Sequence, residues 1–280
     1  MAAVSKVASV TQTNLHAMER VTALYQDVMG EDLHWGLFAD DTDTLHAAQK
    51  CLIDRIAESA GVDTATRVLD IGCGVGGTAL HLAQRYGCPV VGITNSAVGF
   101  GIAERRVRNC GQLGVELRLE DALQTNLPDR AFDVAICIES VSMIPDPNAL
   151  LRTLRRLVRP GGRLVIADSF VCRMMPAGEL AQRSQEVQAL QMIFGVGTYS
   201  KLEDYVRQLH GAGFQQVSCL DVTRQVLPTA DHVVSKMERE WSVLSSRYDP
   251  SLVQAFLLSW KFGQRVFAGG FSSYSIIRAA

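Results

Sequence analysis

The sequence has no excess of one charge and no long apolar run, and each absence excludes a class of protein. Its 280 residues carry 27 Lys and Arg against 29 Asp and Glu, a formal net charge of −2. This balance gives no electrostatic reason to expect binding to nucleic acid. No stretch approaches the roughly 18 consecutive apolar residues of a membrane span, and the start lacks the apolar segment of an export signal. We therefore expect a cytoplasmic protein without a membrane partner.

The sequence also lacks paired cysteines. Its seven cysteines are scattered and include no Cys-x-x-Cys pair. An odd, irregularly spaced set predicts neither a disulfide framework nor a zinc site. We expect free thiols and no bound metal.

Strand-like and helix-like segments alternate from residue 67 onward. The short and nearly continuous apolar runs include residues 67–72, 89–94, 132–139 and 162–170, and helical patterns separate them. A parallel sheet that is covered by helices on both faces requires this arrangement. The alternation predicts a doubly wound α/β fold.

A helical segment is predicted before the alternating region. Apolar residues recur at intervals of three and four between Asn14 and Met29, as in an amphipathic helix. We predict that residues 1–60 form a helical lid and that residues 61–280 form the main domain. The apolar stripe of the first helix must be covered by the ligand cleft or by a second subunit. A homo-oligomer formed through this helix is therefore a further expectation.

Two insertions interrupt the alternation in the second half of the chain. Residues 171–200 are rich in Met, Gln and Gly, and residues 225–266 include a helical stretch from about Asp231 to Phe267. Ligands of open α/β sheets bind beyond the carboxyl ends of the strands. We predict that both insertions form a cap over a ligand pocket.

A glycine-rich turn follows the first predicted strand. Residues 67–77 read RVLDIGCGVGG, in which Gly72, Gly74 and Gly77 have the G-x-G-x-x-G spacing. Glycines allow the backbone to approach a ligand closely, and the helix that follows offers unpaired N–H groups at its start. The motif predicts a nucleotide site but does not identify the nucleotide.

The end of the second predicted strand bears on the choice of nucleotide. An enzyme that uses NAD carries an acidic residue there, about 20 positions after the glycines, to hold the ribose hydroxyls. This chain has Thr94, Asn95 and Ser96 at that place. Acids lie instead at Asp70, before the glycine turn, and at Asp121, after the third strand. An oxidoreductase that uses NAD(P) is therefore a distant alternative.

Four segments together resemble the class I S-adenosylmethionine-dependent methyltransferases. They are VLDIGCGVGG, LEDA, FDVAICIES and LVRPGGRLVIAD. The resemblance is to the small-molecule branch, which includes tocopherol, sugar and prenyl-chain methyltransferases. It implies a Rossmann-like sheet of seven strands, mostly parallel with an antiparallel last strand. It also implies S-adenosylmethionine as methyl donor, S-adenosylhomocysteine as product and a small molecule as acceptor.

The resemblance further assigns residues to the cofactor. It implies that Gly72 and Gly74 lie beneath the cofactor and that Asp121 and Ala122 contact the adenine. The other cofactor residues that it implies are Tyr25, Trp35, Gly36, Asp70, Thr94, Asn95, Ser96 and Glu139.

The residues after the fourth predicted strand bear on the atom that is methylated. Relatives that methylate sugar or phenol oxygens commonly carry one or two histidines there as a base, whereas this chain has Ser140, Ser142 and Met143. An alkene carbon needs no base before it attacks the methyl donor. We therefore expect carbon methylation of an alkene or prenyl group in an apolar natural product of secondary metabolism. Nitrogen or oxygen methylation is the alternative, and a binding protein without methyl transfer is a further one.

Three residues are candidates for a catalytic role. Glu139 or Tyr199 would stabilise or deprotonate the methylated intermediate. Of the six histidines, only His34 is expected near the site.

Overall fold

A sheet of seven strands lies at the centre of the protein. The computed structural model describes residues 2–40, 43–111, 114–195, 197 and 199–280, with the side chains of the first helix described from Thr13 onward. The strands are β1 (Val68–Ile71), β2 (Val90–Thr94), β3 (Val115–Leu119), β4 (Phe132–Ile138), β5 (Val158–Val171), β6 (Ser218–Asp221) and β7 (Ser272–Ala279).

The strand order is β3-β2-β1-β4-β5-β7-β6. The first five strands are parallel to one another, and β7 is antiparallel to both β5 and β6. The expected Rossmann-like fold is therefore confirmed. The chain runs outward from β1 to β3 and then returns to β4 on the other side of β1. Ligands of doubly wound sheets bind at such a reversal, which here brings Gly72 and Glu139 to the same edge.

Helices cover both faces of the sheet. They are α1 (Ala2–Met29), α2 (Leu45–Ala60), α3 (Gly77–Tyr86), α4 (Ala97–Asn109), α5 (Pro147–Leu157), α6 (Ala177–Gln182), α7 (Ser184–Phe194), α8 (Leu202–Gly211), α9 (Thr223–Val226), α10 (Pro228–Arg239), α11 (Trp241–Arg247) and α12 (Pro250–Ala268), with a 3-10 turn at Val141–Met143. Successive side chains of a strand point to opposite faces. In β1, Val68 packs with Leu52 and Leu82 of α2 and α3, whereas Leu69 packs with Leu150 of α5.

The first helix is covered within the chain. Its buried residues Val21, Leu24 and Tyr25 pack with α7, α10 and α12 in one apolar cluster. A second subunit is therefore not needed to bury the apolar stripe from Thr13 onward. This result removes the observation on which the expected homo-oligomer depended. The division into a lid and a main domain at residue 60 stays a prediction.

The two predicted insertions are helical. Helices α6 and α7 occupy most of residues 171–200, and α9 to α12 occupy most of residues 225–266. The single helical stretch predicted from Asp231 to Phe267 is divided into three helices. Tyr248 is extended, Asp249 caps α12 by accepting a hydrogen bond from the Ser251 amide, and Pro250 begins that helix. No helix in the described part of the chain has the length and apolar character needed to cross a membrane.

Candidate active site

A first cavity lies at the carboxyl ends of β1 and β2 and has a volume of about 180 Å³. We call it the glycine-loop cavity. Eight residues that the sequence predicted for the cofactor line it: Gly72, Gly74, Thr94, Asn95, Ser96, Asp121, Ala122 and Glu139. These residues follow the ends of four strands. The fold brings them together although Gly72 and Glu139 are 67 residues apart in the sequence.

Close packing at Gly72 requires a glycine. Its φ is +76°, and an added Cβ would lie 2.6 Å from the Cβ of Ser140. The Gly72 and Cys73 amides donate hydrogen bonds to the Ile93 carbonyl at 2.9 and 3.0 Å, which fixes the turn against β2. The Ser140 hydroxyl is buried and has no hydrogen-bond partner among the described residues. An unsatisfied buried hydroxyl in the wall of a cavity indicates a polar ligand.

Polar side chains in the loops after β2 and β3 form hydrogen bonds within the protein. The Ser96 hydroxyl accepts a hydrogen bond from the Gly99 amide, which caps α4, and donates one to Glu19 Oε1 at 3.2 Å. Glu19 belongs to α1, so this contact joins the first helix to the loop. Asp121 Oδ1 accepts a hydrogen bond from the Leu123 amide at 2.9 Å. The Glu19 contact could not be found from the sequence, because it joins segments that are 77 residues apart.

A second, larger cavity adjoins the first and has a volume of about 460 Å³. We call it the apolar cavity. Met18, Glu139 and Met143 line both cavities. The apolar cavity contains many aromatic rings, namely those of Tyr25, Trp35, Phe194, Tyr199, Trp260, Phe262, Phe267 and Tyr274. Its lining is mostly apolar, and Glu139 lies in the wall that it shares with the glycine-loop cavity.

Glu139 stands where the two cavities meet. Its Oε1 accepts hydrogen bonds from the Trp35 amide at 2.7 Å and from the Tyr274 hydroxyl at 2.8 Å. Burial raises the pKa of this carboxyl to about 8, and the charge of Asp168 adds to the increase, while the two hydrogen bonds oppose it. Glu139 has a φ of +48°, in the left-handed region. Such strain in a non-glycine residue often marks a functional position.

Asp168 is a second carboxyl in the apolar cavity, and the sequence reasoning missed it. Its Oδ1 accepts from the Ser169 amide at 2.7 Å, and its Oδ2 accepts from the Ser142 amide at 3.2 Å. Burial raises its pKa to about 6. The available signal was an acidic residue within the otherwise apolar run LVIADSF. Burial therefore raises the pKa of both carboxyls, and that of Glu139 more than that of Asp168.

Tyr199 lies at the outer end of the apolar cavity, and 47% of its surface is exposed. Partial burial raises its pKa to about 12, and the nearby carboxyls Asp168 and Glu139 add to this shift. Its hydroxyl is therefore a hydrogen-bond donor at neutral pH. Tyr25 and Trp35, which the resemblance assigned to the cofactor, line the apolar cavity and not the glycine-loop cavity.

Three predicted site residues line neither cavity. The His34 ring is buried, and its Nδ1 lies 2.8 Å from the Trp35 carbonyl oxygen. The Gly36 amide donates to the Thr229 hydroxyl at 2.9 Å, and an added Cβ would lie 2.6 Å from the Cβ of Ala48. Asp70 is buried in β1, where desolvation raises its pKa to about 7.

The roles expected of these three residues stay predictions. The structure shows only that His34 and Asp70 are buried and that Gly36 packs against Ala48, outside the two cavities. None of the six histidines lines either cavity. Met143 lines both cavities, at one of the positions where a histidine base was expected in oxygen-methylating relatives.

Several known proteins are similar to this chain in sequence or in structure. The methyltransferase domain family matches residues 69–166. The chain is 31% identical over 225 residues to 27-O-demethylrifamycin SV methyltransferase of Amycolatopsis mediterranei, an alignment that covers 77% of this chain and 78% of the relative. It is 30% identical over 216 residues to O-methyltransferase rstn1 of Aspergillus nomiae, covering 76% and 93%. Among solved structures, the (4+2)-cyclase SpnF superposes with a TM-score of 0.80 at 25% identity, covering 96% of each chain.

Proposed function

Because the chain belongs to the class I S-adenosylmethionine-dependent methyltransferases that act on small molecules, we propose that it methylates a carbon atom of an apolar acceptor. The acceptor carbon belongs to an alkene or prenyl group. One observation carries the proposal: a cavity lined by aromatic rings, without a histidine, meets the glycine-loop cavity at Glu139.

The residues of the glycine-loop cavity fit S-adenosylmethionine. Gly72 and Gly74 lie in the cavity wall, and the buried Ser140 hydroxyl beside Gly72 offers a polar contact. Thr94, Asn95 and Ser96 would hold the ribose, and Asp121 with Ala122 would hold the adenine. When bound, the cofactor supplies an electrophilic methyl group on a sulfonium.

Carbon methylation leaves a positive charge on the acceptor. Aromatic faces stabilise a nearby cation by their quadrupole, by about 0.5–2 kcal/mol each. Trp35 packs against Trp260 at 5.5 Å and against Phe267 at 4.7 Å between ring centroids, and all three residues line the cavity. This arrangement suits an alkene acceptor better than a polar one.

The acceptor cation must then lose a proton to a base. Asp168 lines the cavity and has the lower pKa of its two carboxyls, so it is the group that takes this proton. Glu139 remains hydrogen-bonded to Trp35 and Tyr274 beside the methyl donor, and Tyr199 donates a hydrogen bond from the outer end. The roles of Glu139 and Asp168 differ because their surroundings separate their pKa values.

Oxygen methylation is the second candidate. The relative rstn1 is an O-methyltransferase by name, and an ionised Asp168 can accept the proton of a hydroxyl acceptor as it attacks. Methylation of an amine also remains an alternative, since a neutral amine needs no base.

The test uses the full chain with S-adenosylmethionine that carries an isotopically labelled methyl group. Acceptors are supplied in matched pairs, a terpenoid alkene and the same skeleton with a hydroxyl group, together with extracts of the producing organism. Mass spectrometry detects the methyl gain, and NMR assigns the methyl group to carbon, oxygen or nitrogen. We expect label on carbon in the alkene and its loss in the Asp168→Asn variant. Label on oxygen alone contradicts the proposal and favours the second candidate.

A further inference from the structure

A basic groove lies beside the apolar cavity and has a volume of about 840 Å³. It is lined by the start of α5, the end of β5, residues 199–201 and one face of α8. Its charged residues are Arg152, Lys201, Asp204 and Arg207. Three positive charges against one negative charge make it basic, although the whole chain has a net charge of −2.

Two of these cations have no protein partner. Arg207 forms an ion pair with Asp204, three residues earlier on α8. The side chains of Arg152 and Lys201 take part in no ion pair or hydrogen bond within the described part of the chain. After the internal pair is subtracted, the groove therefore presents two uncompensated positive charges.

Arg152 differs in its contacts from the neighbouring arginines on α5 and just after it. Arg156 is paired with Asp129 at 2.7 Å, and Arg159 is paired with Asp133. The Arg155 guanidinium lies 5.7 Å from the centre of the Phe214 ring. Arg155, Arg156 and Arg159 therefore contact other parts of the protein. Arg152 has no such contact among the described residues, and it lines the groove.

The groove and the apolar cavity share a wall. Val171, Met174 and Tyr199 line both of them. Met174 and Tyr199 are 76% and 47% exposed, although they are large and mostly apolar. Side chains of this kind at the rim of a cavity can contact a ligand that extends from the cavity to the surface. A single molecule that passes this rim reaches the two unpartnered cations.

We propose that the basic groove holds an anionic group of the methyl acceptor, while the apolar part of the same molecule occupies the apolar cavity. The acceptor class is thus an amphiphile with a carboxylate or a phosphate at one end. Arg152 and Lys201 bind the anion, and the distance from the rim to Glu139 determines which carbon meets the methyl donor. The inference rests on the proposed function, because it takes the apolar cavity as the acceptor site.

The test measures binding of decanol, decanoate and decyl phosphate to the full chain, saturated with S-adenosylhomocysteine, by isothermal titration calorimetry. Two exposed charge contacts together increase affinity by about ten-fold. We expect the wild-type protein to bind at least one of the two anions about ten-fold more tightly than decanol, with a preference that decreases as salt is added. The tighter of the two anions identifies the acceptor group.

Charge variants assign the effect to the groove. The double variant Arg152→Gln and Lys201→Gln is expected to bind the anions as weakly as decanol, with decanol binding unchanged. The matched control, Arg105→Gln and Arg108→Gln, removes the same charge from exposed positions on α4 that do not line the groove. Thermal melting verifies that each variant is folded.

Three outcomes overturn the inference: no probe binds, decanol binds as tightly as both anions, or the control variant loses anion binding equally. A different result would show that the proposed carbon methylation is wrong while the basic groove still binds anions. In that case the anion preference and its loss in the groove variant persist, while labelled methyl is not transferred to a carbon atom of any acceptor.

Discussion

Replacing Glu139 with Gln should change how the stability of the protein depends on pH. Glu139 is buried and accepts two hydrogen bonds through Oε1. A glutamine retains that oxygen and both bonds but cannot ionise. The comparison between wild type and variant therefore isolates the effect of the buried charge.

The magnitude follows from the shift in pKa. Burial raises the pKa of Glu139 from 4.5 to about 8, so in the intervening range the folded protein binds a proton that the unfolded chain has released. Stability decreases with pH when the folded state binds more protons. At about 1.4 kcal/mol per pKa unit, the wild type should lose on the order of 5 kcal/mol of unfolding free energy between about pH 4.5 and about pH 8 through this group. The variant should not show this loss.

The assay is urea unfolding of both proteins, followed by circular dichroism, at about pH 5 and about pH 9. Groups that do not interact with Glu139 titrate alike in both proteins, so their contributions cancel in the difference, whereas the coupling of Asp168 to Glu139 is part of the measured effect. We expect the free energy of unfolding of Glu139→Gln, relative to wild type, to increase by several kcal/mol at the higher pH. A difference that stays constant with pH would refute the reasoning, since it would mean that Glu139 is as ionised in the folded protein as in the unfolded chain.

Three further predictions concern the site. Asp168→Asn should lower turnover about 100-fold or more while S-adenosylmethionine affinity, measured by calorimetry, changes less than about three-fold; equal losses would reject its role as the base. The kcat/KM of the wild type should rise with pH through about 6, as Asp168 ionises, and Asp168→Asn should remove this rise; an unchanged profile would exclude Asp168 as the base. Gly72→Ala should lower stability by about 1–3 kcal/mol and weaken cofactor binding, since φ is +76° and the Cβ would meet Ser140. The control Gly161→Ala has a similar φ of +75° but nothing within 4 Å, so it should retain binding; equal loss of binding in both variants would assign the effect to backbone strain.

The residues that line the glycine-loop cavity could be predicted largely from local patterns. The glycine turn follows a buried strand, and the strand ends at Thr94, Asp121 and Glu139 meet because parallel strands present their carboxyl ends at one edge. The same patterns do not indicate that Gly36 and His34 lie outside the two cavities. Both lie in an irregular segment whose packing depends on α2 and on Thr229 of α10, and no periodic pattern reports such contacts.

The sequence by itself determined the order of strands and helices and the glycine turn, because these depend on residues that are near one another in the chain. Tertiary structure decided the chemistry of Glu139: the Trp35 amide comes from 104 residues before it and the Tyr274 hydroxyl from 135 residues after it. It also covered the apolar stripe of the first helix and left Arg152 without an ion pair or side-chain hydrogen bond among the described residues. A pKa depends on how completely a group is removed from water and on which groups surround it, and both are properties of the folded chain.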